Sequence, residues 1–343
     1  MPYGRIACAV IRDIHASEEI LNFFLRHKRR IPFLETLLYE TIMQSSKMKS
    51  SFLRICLFLA LASLVGSSPL HADIAFGDGA STLFAGHSFF VPVAGRFDAL
   101  GRANGFDQHE MNFVFRGGSA GSPGSLWDDA DGSRTEVENF LASGDVDLFG
   151  LTVGASQTYD DYAQWVDLTL SYNPETSIFI GSPWVPNGPS YNTQAFDTLN
   201  ELSGQLLFDD VVVPLRENYR DTEILFLNYG KTASIMRSMF DDGALPDVDR
   251  LVGEEPSLFT DSNPGHGGAM MLEISALTWL GSLYDADISG LSYSPYQSDV
   301  NSIVNGSLDF NSQYSASSVP EPCSGFVLCV ALSSCALRRR RAI

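Results

Sequence analysis

The chain has 343 residues, 45% of them hydrophobic, and a formal net charge of −19. Its basic residues sit mainly near the two ends, so that over residues 73–318 there are 35 acidic residues to nine basic ones, a net charge of −26. A surface this negative repels phosphate backbones and excludes nucleic acid as a partner. The cysteines, at 8, 56, 323, 329 and 335, all fall outside 73–318 and leave that stretch without a disulfide framework, thiolate metal site or cysteine nucleophile.

Residues 1–47 carry a basic run, RHKRR at 26–30, that a secretory signal does not need, and Met43 and Met48 are alternative starts. They read as an upstream extension from a misplaced start, or as a long n-region. From Met48 the order is that of a secretory signal: Lys49 and Arg54, an apolar run over 55–65, the breakers Gly66 to Pro69, and Ala72 at a cleavage position. Eleven residues at about 1.5 Å each are too few to span a bilayer core of roughly 30 Å. A signal peptide over 48–72 is therefore expected, with the mature domain over 73–310, a length sufficient for one substantial core.

Short apolar runs at 82–85, 112–115, 146–153, 177–180 and 223–227 read as buried strands. Between them, Tyr162, Trp165, Val166 and Thr169 share a helical face, as do Phe196, Leu199, Leu202 and Leu206. Met270, Ile274, Leu277, Gly281 and Tyr284 mark a last helix. Strands alternating with helices predict an α/β fold: a three-layer α/β/α sandwich on a mainly parallel sheet of about five strands. In such a sheet ligands bind beyond the carboxyl ends of the strands, so the loops following the apolar runs are the ones to read for chemistry.

The first run ends in Gly86-His87-Ser88, a tight turn with a serine before a helix. Ser88 reads as a nucleophile or as a helix N-cap. Before the last marked helix stands Asp261-Ser262-Asn263-Pro264-Gly265-His266. Asp261 and His266 suit an orienter and a general base, and equally an Asn-Pro-Gly turn. Residues 117–127 supply a glycine-bearing loop after the second run. Trp127 to Gly132 resembles part of a calcium loop without its full ligand pattern, so an acidic surface loop is expected. Trp184, Pro186 and Tyr191 line a sugar cleft or pack on the core. The histidines have no metal-ligand spacing, and neither metal nor cofactor is expected.

Taken in order, these blocks resemble the SGNH/GDSL hydrolases. The resemblance implies a serine esterase with Ser88 as nucleophile, His266 as base and Asp261 as orienter, and with an oxyanion hole from the Ser88 and Gly118 amides. Two departures stand out. His87 replaces the family's aspartate, and the third block's asparagine is missing from Leu151-Thr152-Val153-Gly154-Ala155-Ser156. Thr152 or Ser156 is the candidate substitute, and Thr152 with Trp184 is a candidate substrate contact. The alternative is a catalytically weak or inactive surface protein with a carbohydrate-binding or structural role.

Residues 311–318 are mostly polar and read as a linker. Val319-Pro320-Glu321-Pro322, an apolar stretch over 325–337 and four arginines at 338–341 follow. An apolar stretch closed by arginines is a stop-transfer pattern, and the three parts resemble a PEP-CTERM sorting tail over 319–343. That resemblance implies an exosortase-type processing partner, membrane association through the tail only, and an outer-surface or extracellular-matrix destination in a Gram-negative bacterium, with polysaccharide as a further partner.

Overall fold

In the computed structural model, which describes residues 76–154 and 158–315, each of the five apolar runs forms a strand. The expected signal peptide and sorting tail lie outside the described residues. The elements in chain order are β1 (Ser81–Gly86), α1 (Val91–Ala103), β2 (Glu110–Phe115), a 3₁₀ turn (Gly118–Gly121), α2 (Pro123–Asp128), α3 (Ser133–Leu141), β3 (Leu148–Thr152), α4 (Tyr159–Tyr172), β4 (Ser177–Ser182), a 3₁₀ turn (Gly188–Ser190) and α5 (Thr193–Leu207). A π turn (Phe208–Val212), α6 (Val213–Asn218), β5 (Ile224–Asn228), α7 (Gly230–Asp241), β6 (Arg250–Val252), β7 (Ser257–Phe259), α8 (Ala269–Leu283), a 3₁₀ turn (Ile288–Gly290), α9 (Val300–Asn311) and a last 3₁₀ turn (Ser312–Tyr314) complete them.

β1 to β5 form one all-parallel sheet in the order β2-β1-β3-β4-β5. β3 and β4 are buried along their whole length, as strands covered on both faces must be. Alternate side chains enter two separate cores. Phe84, Leu148, Phe179 and Leu227 meet α1, α7, α8 and α9 on one face. Leu83, Ala85, Phe149, Leu151, Ile178, Ile180 and Phe226 meet α3, α4 and the π turn on the other. This is the three-layer α/β/α sandwich on a parallel five-stranded sheet that the sequence predicts. No helix among the described residues is long and apolar enough to cross a membrane.

Three departures from expectation have physical reasons. The buried line of α5 runs through Phe196, Asn200, Gly204 and Leu207, leaving Leu199, Leu202 and Leu206 half-buried. The helix is turned because Asn200 is a polar strut: it accepts from Val185 N–H at 2.8 Å and donates to Gly230 O and Ser234 Oγ. The helix read as the last, α8, is followed by α9. Residues 311–314, read as linker, belong to the fold: Asn311 accepts from Asn228 N–H at 2.7 Å, and Tyr314 is buried beside Phe208 and Phe226.

Candidate active site

The strand order reverses between β1 and β3, since β2 lies on one side of β1 and β3 to β5 on the other. The carboxyl ends of strands beside such a reversal open a crevice, and Ser88 lies two residues beyond the end of β1. The His87 carbonyl accepts the Phe90 and Val91 amides, both at 3.0 Å. The His87 carbonyl therefore starts α1, whose N-cap is Phe90 without a side-chain bond of its own. Ser88 is not the cap. Its hydroxyl lies 2.8 Å from His266 Nε2.

His266 ends a closed loop. Phe259 bridges Gly267, the Thr260 amide donates to His266 O at 2.9 Å, and the Gly268 amide donates to Leu258 O at 2.8 Å. Inside it the two carboxylate oxygens of Asp261 have separate tasks. Oδ1 accepts the Gly265 and His266 amides at 2.8 and 3.3 Å, and Oδ2 lies 2.6 Å from His266 Nδ1. A carboxylate only accepts, so a proton sits on Nδ1, and in the neutral imidazole the Nε2 lone pair faces Ser88. Burial pushes the Asp261 carboxyl upward, but the bonds from the His266 ring and the two amides outweigh it and hold it below its ordinary value. Gly265 has φ +87°, a conformation that an L side chain adopts only with strain, and a Cβ there would sit 2.8 Å from Pro189 Cδ.

Ser88, His266 and Asp261, read from separate ends of the domain, are thus brought into one hydrogen-bonded chain. Trp184 and Thr152 are placed differently. Trp184 is 1% exposed and offers no ligand face. Its Nε1 donates to Gly265 O at 2.9 Å, and its ring backs Phe89, which lies 5.3 Å from the His266 ring centroid to centroid. Of its two readings, the core-packed one fits. Thr152 is fully buried beneath the site, beside the Tyr229 hydroxyl, and is not a substrate contact. Ser156 lies outside the described residues.

Gly118 opens its 3₁₀ turn with φ +58° on the surface. The glycine that touches the Ser88 turn is Gly121, where a Cβ would stand 2.8 Å from Gly86 C and 2.7 Å from His87 Cβ. The sequence offers no sign favouring Gly121 over its neighbours, because the close approach is made by backbone. Phe89 was likewise missed, being one aromatic among many. In the loop resembling a calcium site, Asp129 accepts from Ser133 N–H and Oγ, both at 2.8 Å. Among the described residues no cluster of three or more His, Cys, Asp or Glu side chains is placed to hold a metal ion.

The sequence matches no protein-family model and no curated protein sequence. Among solved structures, a DUF4886 family protein from Bacteroides uniformis is 16% identical, with a TM-score of 0.46, covering 69% of this chain and 95% of its own. A GDSL-like lipase from Parabacteroides merdae is 13% identical, with a TM-score of 0.36, covering 61% of this chain and 98% of its own. The periplasmic domain of a lipopolysaccharide acetyltransferase from Salmonella ser. Paratyphi A is 13% identical, with a TM-score of 0.34, covering 63% and 88%.

Proposed function

We propose that this domain is an exported serine hydrolase of the SGNH type that cleaves esters, with acylated carbohydrate as its substrate class. The observation that carries the reading is the pair of short contacts through His266: 2.8 Å to Ser88, 178 residues away in sequence, and 2.6 Å to Asp261. A helix cap or a turn requires neither contact.

The chemistry follows from the arrangement. His266 Nε2 takes the Ser88 hydroxyl proton as Oγ bonds to the ester carbonyl carbon, and Asp261 stabilises the imidazolium that forms. The carbonyl oxygen becomes an oxyanion held by the Ser88 amide and by an amide of the Gly118–Gly121 turn, with Gly118 as the donor the family resemblance implies and Gly121 seating that turn against His87. Collapse breaks the ester C–O bond, and His266 returns its proton to the departing alcohol. Water, deprotonated by His266, then attacks the acyl-enzyme and releases the carboxylic acid and free Ser88.

Export rests on the 48–72 signal pattern, and delivery to an exosortase-type enzyme rests on the resemblance of 319–343 to a PEP-CTERM tail. An esterase sorted to a cell surface or matrix meets acylated polysaccharide there. The second reading, a surface protein with little or no catalysis, is favoured by one observation. Residues 151–156, which leave β3, carry no asparagine where the resemblance implies a third oxyanion donor, and losing one donor lowers rates by about 10² to 10³.

The purified protein is tested with p-nitrophenyl acetate and acetylated glycans. Hydrolysis that disappears in Ser88→Ala, with the fold retained by circular dichroism, supports the hydrolase. Equal rates in both proteins remove Ser88 from the chemistry.

A further inference from the structure

His87 stands immediately before the nucleophile and is bonded at both ring nitrogens. Nε2 lies 2.9 Å from the Val153 carbonyl, on the loop leaving β3, and Nδ1 lies 3.2 Å from the Phe89 amide nitrogen. A carbonyl only accepts and an amide N–H only donates, so the two bonds together require a proton on Nε2 and a lone pair on Nδ1. The imidazolium cannot make both, because its Nδ1–H would face the Phe89 N–H. The side chain also presses its Cβ toward Gly121 and stands edge-on to Phe89, with ring centroids 5.9 Å apart. Phe89 in turn lies against His266. One imidazole therefore ties together the nucleophile turn, the glycine turn and the β3 exit.

We propose that His87 is a positioning residue which, as a neutral imidazole protonated at Nε2, holds the Ser88 turn in register with His266 and releases it when the second nitrogen is protonated. This rests on the serine-hydrolase reading and adds to it a second histidine whose neutral form the site requires. Burial above all holds the His87 imidazole below its ordinary value; the bond its Nε2–H donates to the Val153 carbonyl opposes this, and the charge of His266 adds to it. His266 is the titratable group facing it; Gly121, Phe89 and Val153 carry none.

The two bonds can be removed separately. His87→Asn leaves an acceptor near the Nδ1 position for Phe89 and falls short of Val153. His87→Gln reaches toward Val153 and offers Phe89 nothing, and His87→Phe keeps the ring and makes neither bond. The rate of Ser88 labelling by a fluorophosphonate is measured against pH on the full chain, alongside nitrogen NMR of histidine-labelled protein.

The Phe variant is expected to label about 10- to 100-fold more slowly, the cost of a misplaced reacting group, with the Asn and Gln variants between it and wild type. In acid, the logarithm of the wild-type rate should steepen to a slope of about 2, one for each imidazole that must be neutral, and stay near 1 in the Asn and Phe variants. NMR should find His87 as the neutral Nε2–H tautomer near neutral pH. Equal acid slopes in all proteins, or an Nδ1–H tautomer at His87, overturn the proposal. A wild-type chain that labels nowhere overturns the hydrolase reading instead, and the tautomer measurement still decides whether His87 forms the strut.

Discussion

Asp261→Asn separates the chemical role of the carboxylate from its structural one. In the wild type, Oδ1 is held by the Gly265 and His266 amides and Oδ2 meets the imidazole. The asparagine carbonyl oxygen must take the place of Oδ1, since both amides need an acceptor, and this turns the NH₂ group toward His266 Nδ1. An NH₂ group only donates, so the imidazole shifts its proton to Nε2 and presents N–H to Ser88 where a lone pair is required. The loop keeps both backbone bonds and should lose less than about 1 kcal/mol of stability. The rate should fall about 10⁴-fold, as a wrong tautomer does in other serine triads, equivalent to roughly 5 kcal/mol of barrier. Ester hydrolysis and urea unfolding measured on the same preparation check both halves. An Asn variant within tenfold of wild-type activity would refute the tautomer argument, and one that is inactive because it is unfolded would refute the separation of roles.

Gly265→Ala forces a side chain into a left-handed conformation against Pro189; denaturant unfolding should show a loss of about 1–2 kcal/mol, with slowed catalysis because the loop carries His266. Asn200→Leu leaves the Val185 amide, the Gly230 carbonyl and the Ser234 hydroxyl without their partner, and should cost about 1–3 kcal/mol per buried group left unpaired; a melt within 1 °C of wild type would contradict the strut. His87 and His109 are both held below the usual histidine value of 6.5, in each case first by burial. The unfolded chain therefore binds more protons than the folded one as the pH drops below about 6.5, and stability should fall from there through the folded values. Asp261, held below 3.8, contributes fully above that value and is lost only in stronger acid. His87→Asn should flatten the mild-acid decline in melting temperature without abolishing it, because His109 remains; an unchanged decline would show that His87 takes no part.

The strands and the residues of the Ser88–His266–Asp261 hydrogen-bonded chain were legible in the sequence because each has a local signature: unbroken apolar runs for strands buried on both faces, a small-residue turn for Ser88, an Asn-Pro-Gly loop for His266 and Asp261. The inner face of α5 was not, because the pattern counted leucines, while Asn200 faces inward to meet the loop after β4 and α7, and Gly204 to meet β5. A Cβ on Gly204 would stand 2.1 Å from Asn228 Nδ2, so that glycine answers a residue 24 positions away. Trp184 was legible as an aromatic in a loop but not as the prop beneath Gly265, a contact spanning 81 residues. β6 and β7, three residues each, are too short to leave a periodic signal.

The most direct measurement is peptide mapping of the protein after reaction with a fluorophosphonate. The account predicts a single phosphonyl adduct, on Ser88, absent from His266→Ala. A folded protein with no adduct, or one modified at a different serine while Ser88 stays free, would contradict it.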